Sequence, residues 1–135
     1  MSSLTEIFGP PVHIYTRREA IEDGVLIDVT DLAKDAGFVV PAAITASVEI
    51  LVTPTGLECD EWGQSRTGRL WDVLWMARFH AAENREESEF LFPVIFQFAG
   101  RSAHKAGQRQ ITLKCVIGPG DAGEAVLTIL MPEES

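Results

Sequence analysis

The chain predicts an α+β fold, with helices from the first two-thirds packed on one face of a C-terminal antiparallel sheet of three or slightly more strands. Three observations carry that expectation. Apolar residues recur at helical spacing up to about residue 84, the spacing changes to two from residue 90, and Gly- and Pro-containing stretches punctuate the segments between.

After Gly9-Pro10-Pro11, Val12 to Tyr15 reads as a short extended piece. Thr16 is placed as an N-cap, with Glu19 completing a capping box for a helix that stops at Gly24. Val25 to Val29 is a short strand or extended segment, and Thr30 or Asp31 caps a second helix, Leu32 to Ala36, ended by Gly37. Pro41 suits the first turn of a third helix reaching about Val52, with Ile44, Val48 and Leu51 on one stripe. Residues 53–65, with a proline, two glycines and three acids, form the longest loop, and Trp62 tucks against the fold. A fourth helix spans about Thr67 to Asn84, with Leu70, Leu74, Ala77 and Ala81 on one face and Trp71 and Trp75 beside them, a broad apolar surface that belongs inside.

The last third is a meander. Phe92, Val94, Phe96 and Phe98 share one side of a first strand, Ile111, Leu113, Cys115 and Ile117 one side of a second, and Glu124 to Met131 alternates likewise. Gly118-Pro119-Gly120-Asp121 puts Pro and Gly at the central positions of a type II turn, and the basic stretch Arg101 to Arg109 is the longer connection.

With 135 residues the chain is one domain, ordered from about 12 to 132, and buries about 65–70% of its unfolded surface. Apolar residues at 46% and charged ones at 23% argue against disorder. No apolar run is long enough to span a membrane, and the amino terminus lacks a basic stretch followed by an apolar one, so a bacterial cytoplasmic location is expected and a membrane partner is not. Cys59 and Cys115 fall in unlike contexts, an acidic loop and a buried strand, so no disulfide is expected. The net charge of −9 is uneven: residues 1–65 hold eleven acids and three bases, whereas residues 99–114 hold Arg101, Lys105, Arg109 and Lys114 and no acid. Such a chain is repelled by nucleic acid at long range, and direct sequence-specific binding to it is not expected. The basic segment is left to touch a phosphate locally, the chain's own acidic half or an acidic partner.

No catalytic residue, cofactor or metal site emerges. Asp72, flanked by Trp71 and Val73, reads as a structural acid satisfied by Arg69, a backbone N–H or an indole, since no second titrating group accompanies it. His13, His80 and His104 lack ligand spacing, and Asp60-Glu61 and Glu86 to Glu89 lack the alternation of a calcium loop. Gly118 to Asp121 leads into no helix and is a hairpin turn, not a phosphate cradle. The basic connection has no aromatic residue for base stacking.

Three segments together carry a resemblance: Tyr15 to Val29, Gly68-Arg-Leu-Trp-Asp-Val-Leu-Trp-Met-Ala77, and Thr112 to Asp121 followed by Leu127 to Pro132. From about Ile14 to Pro132 the chain resembles a family of small uncharacterised bacterial proteins, a domain of unknown function common on plasmids, phages and other mobile elements. The resemblance implies a setting and carries across no activity or catalytic residue. In that setting small acidic proteins often act against host defences, some offering carboxylates where a target expects phosphates; the basic 99–114 stretch departs from pure mimicry.

The leading expectation is a non-enzymatic module that occupies a host protein or protein–nucleic acid complex, with Glu58, Asp60, Glu61 and Trp62 as contacts and Arg101, Lys105 and Arg109 as secondary ones. The rival is a small enzyme or ligand-binding protein using Asp72 and Arg69 in a helix–sheet pocket. A third possibility is an accessory protein that forms a homodimer through its sheet.

Overall fold

The computed structural model describes residues 14–99 and 106–134, without the side chains of 60–62, 99 and 106. Its elements are α1 (Arg17–Glu22), β1 (Leu26–Asp28), α2 (Thr30–Asp35), β2 (Ala42–Thr45), α3 (Ala46–Val52), α4 (Gly56–Trp62), α5 (Arg66–Glu83), β3 (Glu89–Ala99), β4 (Ala106–Pro119) and β5 (Ala125–Leu130). The fold is α+β, but the sheet is mixed and has five strands, in the order β1-β2-β5-β4-β3. The meander is present as antiparallel β3, β4 and β5. Two strands from the first half extend it: β2 joins β5 in parallel, and β1 pairs antiparallel with β2.

The segment carrying β2 departs from the helix expected over Pro41 to Val52. Ala42, Ala43, Ile44 and Thr45 are all buried, as both faces of an interior strand are. The helix starts only at Ala46, where the Thr45 hydroxyl accepts the Val48 N–H at 3.4 Å. A four-residue apolar run is too short for periodicity to distinguish strand from helix, and pairing with β5 decides it.

The expected loop over 53–65 contains α4. Thr55 accepts the Glu58 N–H at 3.2 Å while the Glu58 carboxylate accepts the Thr55 N–H at 2.8 Å, a complete capping box, and Gly63 ends the helix at φ 64°. Thr16 caps α1 as expected, accepting the Glu19 N–H at 3.1 Å. Neither Thr30 nor Asp31 caps α2; the Asp28 carboxylate accepts the Thr30 N–H at 3.1 Å instead. Val12 and His13 lie outside the described residues, and Ile14 and Tyr15 belong to no strand.

One face of the sheet is covered by α2, α3 and α5. Ala33, Val48, Val52, Leu70, Val73, Leu74 and Ala77 pack on Ile44, Phe92, Val94, Phe96, Leu113, Cys115, Leu127 and Ile129, and each large side chain among them contributes about 1.5–3 kcal/mol by leaving water. The helices do not all share that face. Thr128 alternates with buried Leu127 and Ile129 and so points to the other side, where Arg17 of α1 donates to its hydroxyl at 2.6 Å and to the Leu127 carbonyl at 2.8 Å. The C-terminal turn covers more of that second face. Lys114 donates to the Pro132 and Glu134 carbonyls, and the Glu134 carboxylate accepts from the Thr45 hydroxyl and the Met131 N–H, each at 2.8 Å. Leu91 and Ile95, on the same side of β3, stay exposed.

Strand β4 reaches back to Ala106, so Arg109 lies in the sheet opposite Phe96 and not in the connection. The type II turn expected at Pro119-Gly120 is not formed. Pro119 pairs with Ala125, Gly120 has no positive φ, and the reversal is closed by the Gly123 N–H on the Gly120 carbonyl at 3.0 Å, with Gly123 at φ 82°. Gly120 is closely approached: a Cβ there would lie 2.0 Å from Glu124 Oε1 and 2.9 Å from Val126 Cγ1, so both side chains would have to shift.

Candidate functional site

The exposed ridge of α5 concentrates what this surface can offer a ligand. At 100° per residue Phe79 lies about 900° after Leu70, hence on the opposite side of the helix, and Trp75 and Asp72 fall near it. Trp75 is 53% and Phe79 56% exposed, so Trp75 is not part of the buried surface expected for it. Trp71 is half-buried and stacks on Trp75 with ring centroids 6.0 Å apart and planes at 17°. The buried stripe keeps the expected Leu70, Leu74 and Ala77 and adds Arg69 and Val73, with Ala81 half-buried against the core. Phe79 was missed in the sequence although the same helical rotation would have found it.

Two depressions flank the ridge. One of about 540 Å³ is lined by Asp35, Ala36, Gly37, Trp75, Arg78, Phe79, Ala82 and Glu83; the Arg78 guanidinium in it is tied to the Gly37 carbonyl at 3.3 Å. The other, of about 250 Å³, lies between α5 and β3 and is lined by Asp72, Trp75, Met76, Pro93, Val94, Ile95 and Gln110.

Asp72 does not form the expected bond to Arg69. Among the described residues its exposed carboxylate has no hydrogen-bond or ion-pair partner. Partial burial beside the apolar walls pushes its pKa up from 3.8. Arg69 turns inward, 3% exposed. It pairs with Glu58 at 3.1 Å, donates to the carbonyls of Gln97 at 2.7 Å and Leu51 at 3.2 Å, and lies over the Phe98 ring at 5.1 Å. Glu58, also 3% exposed, is thereby committed to the interior and not to a contact surface. The two residues of the expected helix–sheet pocket border one open depression of about 560 Å³ at the start of α5, but their charged groups face different surroundings.

Strand β3 is an edge whose free side is interrupted. The Ile117 N–H donates to the Ser88 carbonyl at 2.8 Å, so even-numbered residues of β3 bond β4 and odd-numbered ones turn N–H and C=O outward. Pro93 falls at an outward position and offers a carbonyl without an amide, and the outward carbonyl of Gln97 is taken by Arg69.

The other singled-out residues fall elsewhere. Gly118 and Pro119 end β4; Gly120 and Asp121 form the turn, and both oxygens of Asp121 accept helix amides, from Arg17 at 2.9 Å and Arg18 at 3.0 Å. Those two bonds, the largest influence, with the neighbouring guanidinium charges, lower the Asp121 pKa below 3.8. Arg109 lies over Phe98 at 5.7 Å. Arg101 and Lys105, and the side chains of Asp60, Glu61 and Trp62, lie outside the described residues. Among the described acids, Glu49 forks onto Arg66 at 2.7 and 2.8 Å, Glu22 meets Arg18, and Asp28, Asp31 and Asp35 line a depression that also holds Arg66. Cys59 and Cys115 are free thiols, and burial pushes Cys115 up to about 12. Among the described residues no three His, Cys, Asp or Glu side chains converge as metal ligands, and no helix is long and apolar enough to cross a membrane.

The sequence matches the profile of a family of unknown function, DUF6573, over residues 5–135. No curated protein and no solved structure matches it.

Proposed function

The chain belongs to that family, and we propose that it is a non-enzymatic module that binds another protein through the outward ridge of α5. The observation that carries this reading is the pair Trp75 and Phe79, both more than half exposed one helical turn apart beside a depression of about 540 Å³ with Asp35 and Glu83 in its lining. Exposed aromatics framed by polar groups are the usual make-up of a binding hot spot, since burying an indole or a phenyl ring releases much apolar area at little entropic cost. The net charge of −9 favours a basic surface on the partner. Within this proposal the partner is a host nucleic-acid-handling or defence complex met in the cytoplasm, and the chain is a mobile-element inhibitor of it. Its acids are partly spent on internal pairs, so the proposal gives the aromatic ridge the main contact and leaves phosphate mimicry a lesser part. The rival pocket of Asp72 and Arg69 gains no support from an arginine already bonded to Glu58, Gln97 and Leu51.

The test is capture from nuclease-treated host lysate by the immobilised chain, compared with a Trp75→Ala/Phe79→Ala variant of unchanged melting temperature. A specific protein should be retained by the wild type, lost by the variant, and released as salt rises. Equal capture by both proteins, or none by either, would overturn the reading.

A further inference from the structure

The niche of about 250 Å³ between α5 and the edge of β3 is smaller than the 300–1,000 Å³ of most small-molecule sites, and suits one side chain rather than a cofactor. Its charge is one-sided. Asp72, the one charged residue of the lining, supplies a carboxylate with no partner among the described residues, Pro93 has an outward carbonyl and no amide, Gln110 adds an amide that can donate or accept, and the rest of the wall is Trp75, Met76, Val94 and Ile95. Arg78 borders the other depression and is held by Gly37, and Arg69 is turned inward onto Glu58 and the Gln97 carbonyl.

A site whose single charge is a carboxylate set against apolar and aromatic surface favours a cationic side chain. Lys and Arg side chains meet that requirement, and carboxylates and phosphates are disfavoured by the Asp72 charge. Between the two, an ammonium is compact and strongly hydrated, whereas a guanidinium is planar, more weakly hydrated, stacks on an indole and forks onto a carboxylate. Trp75 offers an exposed ring next to Asp72 on the same stretch of helix.

We infer that this niche receives one arginine side chain of the partner, with its guanidinium forked onto Asp72 and stacked over the Trp75 indole. The inference rests on the protein-binding reading and specifies the chemistry that the partner must present. The raised pKa of Asp72 agrees with it, since a carboxylate losing water without gaining a partner is stabilised when a cation arrives.

The test uses the full chain and two probes, N-acetyl-arginine amide and its neutral isostere N-acetyl-citrulline amide, followed by nuclear magnetic resonance of backbone amides and indole N–H groups. Arginine amide should give saturable shifts centred on Asp72, Trp75 and Ile95. Citrulline amide, and arginine amide on Asp72→Asn, should each bind about tenfold more weakly or worse, because an ionic hydrogen bond is lost. Equal binding of the two probes, shifts centred elsewhere, unchanged binding by Asp72→Asn, or no saturable shift would each overturn the inference. Lysate capture that still depends on Trp75 and Phe79 in that case would leave the protein-binding reading standing.

Discussion

Glu58 and Arg69 face each other at 3.1 Å with both side chains almost wholly out of water. The pair joins α4 to α5, and through the Gln97 and Leu51 carbonyls it also ties in the edge of β3 and the end of α3. Removing one member strands a buried charge. Glu58→Ala is expected to lose about 3–5 kcal/mol in urea unfolding, while Glu58→Leu with Arg69→Met together costs much less than the two single changes summed. Additive costs would show that the two side chains are not coupled in solution.

Asp121 acts as a distant cap on α1. Its folded pKa is depressed, so its stabilisation is present above the ordinary carboxylate value of 3.8 and is lost as pH falls through the lower folded value. Asp121→Asn should melt a little earlier than the wild type at pH 6, and the difference should shrink as the pH is lowered below 3.8. A gap independent of pH would assign the effect to something other than the charge.

Asp72 has the opposite sign. Its folded pKa lies above the unfolded value, so the wild type is relatively favoured at low pH and loses that advantage as pH rises through the folded pKa. Asp72→Asn should therefore melt at or slightly above the wild-type temperature at pH 7, with the difference gone at acid pH. A clear loss of stability at pH 7 would reveal a structural partner for the carboxylate.

Pro93 interrupts the outward side of a long edge strand. Pro93→Thr restores a donor there and keeps a residue suited to strands, so it is expected to promote self-association through β3. Sedimentation velocity at increasing concentration would register dimers or larger species in the variant beyond those of the wild type. Identical profiles would mean that the proline is not what guards this edge.

Much of the scaffold was legible from local signals. Alternation named β3, β4 and β5, helical spacing named α5, and Thr16 named the start of α1, because each depends on residues within a turn or two of one another. Thr55 and Glu58 also wrote the start of α4 into the sequence, although proline, glycine and acids around them disguised it as a loop. What only the tertiary structure decided was choice of partner across long separations. Ala42 to Thr45 became a strand because β5 offers it a ladder and neighbours bury both its faces. Arg69 had Asp72 within reach on its own helix and took Glu58 instead, since an inward guanidinium surrounded by the Leu51 and Gln97 carbonyls needs a buried anion. Asp72 was left facing solvent beside Trp75 by that choice, and neither spacing nor composition contains the distances that made it.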